Sequence, residues 1–246
     1  MQGVKNLTTG SIYGRLISLA MPIMATSFIQ MAYSLTDMAW VGRLGSEAVA
    51  AVGAVGILTW MSGSISLLNK VGSEVSIAQS IGARNEADAR AFASHNVSMA
   101  LLLSLVLGVL LFALARPVMS LFALEPHIEA QAVSYLHIIS TGFPFFFLSA
   151  SFTGIYNAAG RSTVPFYISG TGLVMNMVLD PLFIFVFDGG VIGAAWATWL
   201  SQLVVFALFV RRLRFKDRLL GGFPFFTRFR RRYALHIVRL GLPAAA

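Results

Sequence analysis

The chain has 246 residues, 57% of them hydrophobic and 11% charged, and its mean hydropathy is +0.77. A soluble domain carries about 25% charged residues, so the composition excludes an ordinary soluble protein and points to an all-α polytopic membrane protein. Cysteine is absent, which excludes disulfides and thiolate metal sites, and nine of the 18 Lys and Arg behind the +8 net charge fall between Arg211 and Arg232. A basic loop beside a hydrophobic span is positive-inside topology, so no nucleic-acid partner is expected.

Six spans of the ~20 residues a bilayer requires are predicted, at about 13–40, 47–70 (to 82 if the helix continues), 94–115, 129–156, 164–187 and 191–211. A seventh begins near 234. The polar start MQGVKNLTTGSIYGRL runs into a segment too long for a signal core, so no cleaved signal is expected. Lys5, Arg84, Arg90, Arg161 and the basic cluster fall on one side, against Arg43 and Arg116 on the other. That asymmetry places both ends in the cytoplasm, in a multi-pass protein of the inner or plasma membrane. The expected organisation is a six-helix transmembrane lobe over 1–211, a basic cytoplasmic loop over 212–233, and the cut-short start of a second lobe over 234–246.

Span one holds Pro22 in mid-helix, where a proline bends the chain, and Asp37 near its outer end. Asp37 is either a helix-end acid paired with Arg43 in the headgroups or part of a site. Span two is rich in small residues and then presents Lys70 and Glu74 four apart. These are surface charges if the helix stops near Leu68, and a buried, mutually neutralising pair if it continues to Ile81. The apolar Val71, Val75, Ile77, Ala78 and Ile81 favour continuation.

The four histidines show no metal-ligand spacing and read as packed or interfacial. Gly142-Phe143-Pro144 predicts a bend in span four, which ends in Tyr156 and Asn157 beside a Gly-Arg turn.

Span five is the informative one. Its run GLVMNMVLDPLFIF places Asn176 and Asp180 four residues apart, on one helical face. An ionisable group at that depth needs a partner or a water-filled cavity. Pro181 removes a backbone donor and loosens a carbonyl one turn back, so amide, carboxylate and carbonyl oxygens gather at one level. Asp-Pro could instead simply end the helix, but the apolar residues beyond it argue for continuation. In span six, Gly189 and Gly193 are spaced for close contact, and Thr198 follows. Asp37, Asp180 and Thr198 all lie within about seven residues of the outer ends of their spans, or ~10 Å. Three helices are thus expected to bring oxygen ligands to one depth.

The run Leu16 to Ala25 around Pro22 recurs as Ile237 to Ala246 around Pro243. Six spans separate the copies, and an even number implies parallel repeats.

The segments LTDMAWVGRLG, AQSIGA, NAAGRSTVP, NMVLDPLFIF and GVIGAAWAT resemble the N-terminal half of a MATE-family (multidrug and toxic compound extrusion) transporter of the DinF-like branch. The resemblance implies a twelve-helix fold of two six-helix lobes, the first of two parallel repeats being this one. It implies export of organic cations in exchange for H+ or Na+, with no other cofactor. Asp37, Asn176, Asp180 and Thr198 match the family's cation-coupling positions, and Asn157 a cavity position; Tyr156 stands next to it. The partners implied are the bilayer, organic cations, and a missing C-terminal lobe or a second copy. The alternatives are a lipid-linked precursor flippase of the wider superfamily, a passive pore, or an inactive half-length fragment. No phosphate loop, GxSxG elbow or paired-histidine motif suggests an enzyme.

Overall fold

The computed structural model describes residues 12–217, 219–225, 227 and 229–245. Lys5, Arg218, Arg228 and Ala246 lie outside them. In lipid a backbone must satisfy its own hydrogen bonds, and these apolar runs do so as helices. They are α1 (Ile12–Gly42), α2 (Ser46–Gly82), α3 (Glu86–Ala113), the short α4 (Ala115–Ser120), α5 (Pro126–Ala158), α6 (Thr163–Pro181), α7 (Gly190–Arg211) and α8 (Arg231–Ala245). Six are long and apolar enough to cross a membrane, and no strand occurs among the described residues.

α5 is the centre of the bundle, packed against α2, α3 and α7. Its phenylalanines fill that space: Phe147 and Phe152 are buried, and Phe152 meets Phe206, Phe209 and Phe225 at centroid distances of 6.2, 6.0 and 5.6 Å. α1 lies at the edge and packs chiefly on α6.

One boundary matches the favoured continuation, and two others differ from the predicted ones. α2 does continue to Gly82, at 37 residues about 55 Å long, and so outruns a ~30 Å hydrocarbon core. α3 starts at Glu86 rather than 94, because the Asn85 side chain caps it by accepting from the Asp88 N–H at 3.1 Å. α7 runs on past Arg211 as a π-helical turn, Arg212–Asp217, followed by the short turn Leu219–Gly221.

Pro22 and Pro144 sit inside continuous helices. Beyond Pro181 the helix widens into a π-helical turn, Leu182–Val186, closed by the Phe187 N–H on the Leu182 carbonyl at 3.0 Å. The missing proline donor and this wider turn occur together, as expected where the regular ladder is interrupted.

The helix ends that carry Arg84, Arg90, Arg161 and the basic cluster meet at one end of the bundle. Asp217, with 4% of its side chain exposed, accepts from Tyr156 Oη (2.9 Å), Arg161 Nη2 (2.8 Å) and Arg212 Nε (3.0 Å). This joins the last turn of α5, the following loop and the end of α7. Nearby, the His95 ring accepts the Arg230 N–H at 3.1 Å, and Tyr233 donates to Asp88 at 2.8 Å, fixing the start of α8 on α3. α8 then lies against α2 with unusual closeness. A Cβ on Gly72 would run into the Ile237 carbonyl, and one on Gly241 into the Leu68 carbonyl.

A second polar cluster binds α2, α3 and α5 at mid-bundle. The Asn69 amide donates to Asn96 Oδ1 (2.7 Å) and Ser151 Oγ (3.2 Å), and Asn96 donates to the Ser151 carbonyl (3.2 Å).

Candidate functional site

The four candidate coupling residues lie in two pairs, Asn176 with Asp180 and Thr198 with Asp37. Asn176 and Asp180, one turn apart on α6, have no solvent exposure, and the Asn176 amide donates to Asp180 Oδ1 at 2.9 Å. Thr198 on α7 faces Asp37 on α1 and donates to its Oδ1 at 3.4 Å. Asp37 is half-buried and close enough for its charge to be felt at Asp180. It does not pair with Arg43, whose guanidinium lies 4.9 Å over the Trp40 ring instead.

The approach of α6 to α7 is set by Gly193. A Cβ there would strike the Phe183 carbonyl, so the turn after Asp180 can lie directly against the start of α7. Gly189 adds a hydrogen bond from its N–H to the same carbonyl, at 3.0 Å. The glycine spacing and the Asp-Pro step therefore act together to bring Asp180 within reach of the Thr198 level.

The site holds residues that sequence reasoning missed. Tyr33 lies one turn before Asp37, in the field of both acids and beside Thr198 and Ser201 without meeting hydrogen-bond geometry. Tyr135, buried on α5, lies within electrostatic range of both acids. Ser201 is buried one turn after Thr198. The i,i+4 step from Tyr33 to Asp37 and the i,i+3 step from Thr198 to Ser201 were available as signals. Tyr135 offered none, because its place depends on how α5 packs.

Four buried polar atoms of this cluster have no hydrogen-bond partner: Tyr33 Oη, Asn176 Oδ1, Asp180 Oδ2 and Ser201 Oγ. Each such atom costs about 1–3 kcal/mol when left unpaired. Their gathering around two acids makes a set of oxygen donors suited to a proton or a hard monovalent cation.

The remaining expected site residues lie elsewhere. Tyr156 is fully buried; it packs near Phe209, at 6.0 Å, and its hydroxyl is committed to Asp217. Asn157, also buried, donates to Glu74 at 3.4 Å. Lys70 and Glu74 are half-buried, and among the described residues they form no direct ion pair. The expected sealed pair does not form: both side chains are half-buried, and Glu74 takes Asn157 as its hydrogen-bond partner instead. Pro22 lies four turns before Asp37, and its carbonyl accepts from Thr26 Oγ1 at 2.7 Å. No group of three or more His, Asp or Glu suited to a metal occurs among the described residues.

Six membrane-length helices around one buried and one half-buried acid define an integral membrane protein. Comparison with known proteins carries this further. A family model described as MatE matches residues 22–182. A probable multidrug resistance protein, NorM of Thermotoga maritima, is 32% identical over 194 residues, covering 77% of this chain and 42% of the relative. The probable multidrug resistance protein YoeA of Bacillus subtilis is 28% identical, over 96% of this chain and 52% of its own. A crystal structure of MATE in the bent conformation superposes with a TM-score of 0.90 at 27% identity, over all of this chain and 55% of the other. The chain belongs to the MatE family, and it spans about half the length of the relatives it matches.

Proposed function

We propose that this chain is one lobe of a secondary active multidrug exporter, a transporter and not an enzyme, that exchanges organic cations for H+ or Na+. The coupling site is Asp37, Asn176, Asp180 and Thr198, with Tyr33 and Ser201 as further oxygen donors. The observation that carries this reading is the fully buried Asp180 with an unpaired carboxylate oxygen, beside the unpaired Asn176 oxygen and in the field of Asp37.

Two carboxylates in low-dielectric surroundings cannot both stay charged without cost, so a proton or Na+ relieves the repulsion. An organic cation competes for the same negative charge, which is the simplest physical route to antiport. Pro22 serves as the hinge of α1: ion binding biases the bend through its different affinity for the two shapes of the helix. The lysine and arginine asymmetry puts the basic end in the cytoplasm of a cell-membrane protein. The partner completing the transport path is a second lobe or a second copy of this chain, since parallel repeats build that path between lobes. On this reading the division of labour follows 1–211, 212–233 and 234–246.

Two measurements test the site. The thermal stability of the purified chain should rise with Na+ over K+ at constant ionic strength, or respond to pH, and Asp37→Asn/Asp180→Asn should remove that response. In transport-competent proteoliposomes the same double variant should abolish gradient-driven drug efflux. A double variant that retains both the ion response and wild-type coupled efflux rules the site out.

A further inference from the structure

The basic end of the bundle contains a second feature that the acid site does not use. Where α7 continues as the π-helical turn Arg212–Asp217 and doubles back through Leu219–Gly221, a cleft of about 280 Å3 opens. Leu213, Leu219, Phe223 and Phe225 give it an apolar floor, and Arg214 stands at its rim with the guanidinium 5.8 Å over the Phe225 ring.

The walls are held by the fold. Arg90 donates to the Leu220 carbonyl at 2.6 Å, fastening a turn in which Leu220, Gly221 and Gly222 all have positive φ. Arg212 is occupied with Asp217, at 3.0 Å, and so is a strut of this wall. Arg214 is exposed at the opening, and Arg211 and Lys216 are exposed on the same stretch of chain without lining the cleft. Between the last two, Phe215 is 81% exposed.

An exposed phenylalanine ring among cations is unfavourable in water and well placed at a bilayer surface, where aromatic rings sit at headgroup depth. The apolar run of α7 ends at Val210, so the cleft opens one turn beyond the hydrocarbon. A guanidinium matches a phosphodiester with two parallel N–H donors. Basic residues that directly follow a span attract anionic lipid, at roughly five-fold in affinity for each residue.

We infer that this cleft seats one anionic phospholipid. The phosphodiester lies on Arg214, and the exposed Arg211 and Lys216 add positive charge nearby without touching it. The root of the acyl chains rests on Leu213, Phe223 and Phe225, and Phe215 inserts into the leaflet beside it. The inference goes beyond the coupling site, lies at the other end of the bundle and does not depend on it.

The test is lipid retention by the whole chain, taken from nanodiscs containing equal phosphatidylglycerol and phosphatidylcholine and read by native mass spectrometry and melting temperature. Wild type should retain phosphatidylglycerol selectively. Arg214→Gln should weaken retention about five-fold, and Arg211→Gln/Arg214→Gln/Lys216→Gln about a hundred-fold. Arg214→Lys keeps the charge but loses the paired N–H donors and should recover only part of the binding lost in Arg214→Gln, and Phe215→Ser should lower it. Arg43→Gln/Arg116→Gln removes as much charge at the opposite end as Arg211→Gln/Arg214→Gln removes here, and should change nothing. Equal losses in those two double variants would mean net charge alone, and would overturn the inference. So would equal retention of the two lipids by wild type, or stabilisation by soluble glycerol phosphate matching that by the lipid.

Discussion

Two helices carry a proline in mid-span, and their surroundings are opposites. In the most apolar window of α5, around Pro144, 61% of the residues are buried; in that of α1, which carries Pro22, 6% are. α5 is gripped on three sides by α2, α3 and α7, and its last turn is tied to Asp217. α1 leans on α6 and is tied near its start by Ser162 Oγ on the Leu19 carbonyl, at 3.2 Å. The same local defect, a missing backbone donor, therefore sits in a densely packed helix in one case and in a sparsely packed one in the other. A proline makes a hinge only where the neighbours leave room for both shapes.

The largest expected effect breaks the grip on α5. Asp217→Asn strands Arg161 and Arg212 against a neutral amide and should destabilise the fold by about 3 kcal/mol. Equilibrium unfolding in detergent reads it, and a loss comparable to that of an exposed surface substitution would mean the Asp217 node is not structural.

Next in size is the contrast between the two helices themselves. Phe152→Ala opens a hole among Phe206, Phe209 and Phe225, at about 2–3 kcal/mol: the void persists, while transfer from lipid to protein contributes little. Phe28→Ala on α1, where the ring is 67% exposed, should fall within about 0.5 kcal/mol of wild type. Equal losses would erase the distinction between a packed and a leaning helix.

The smallest effect concerns Lys70 and Glu74, beside α5. A sealed pair would lose about 3–5 kcal/mol on removal of one partner and far less on removal of both. Half-buried and not in direct contact, they should instead couple by less than about 1 kcal/mol in a double-mutant cycle. A coupling above ~2 kcal/mol would show that the charges meet.

The spans were legible in the sequence because the bilayer dictates both length and composition. The four polar residues proposed as the coupling site were legible because polar residues stand out in apolar runs, and counting residues from a helix end measures depth directly. What was missed depends on lateral packing. Tyr135 belongs to the site only because α5 lies behind α1 and α7, a fact that no periodicity records. Tyr156 looked like a cavity residue by its position beside Asn157, yet its rotation on α5 aims it at Asp217. The Asn69–Asn96–Ser151 cluster went unread because each member is small and isolated along the chain; only the stripe of Ser62, Ser66, Asn69, Ser73, Ser76 and Ser80 on α2 hinted at a polar seam. The end of α7 was placed at Arg211 by charge, whereas the Asp217 hydrogen bonds carry helical structure six residues further.

The contact of Gly72 with the Ile237 carbonyl, and of Gly241 with that of Leu68, also bears on how this sequence can drift. Two positions far apart in the chain are jointly closed to every residue that carries a Cβ, because each faces main-chain atoms that cannot rotate aside. A change at either one can be rescued only by shifting a whole helix, never by trimming a neighbouring side chain. The exposed apolar faces of α2 and α8 can exchange one greasy residue for another while this pair stays fixed. In a screen of all single substitutions, 72 and 241 should be among the least tolerant positions of α2 and α8, each accepting nothing larger than a hydrogen.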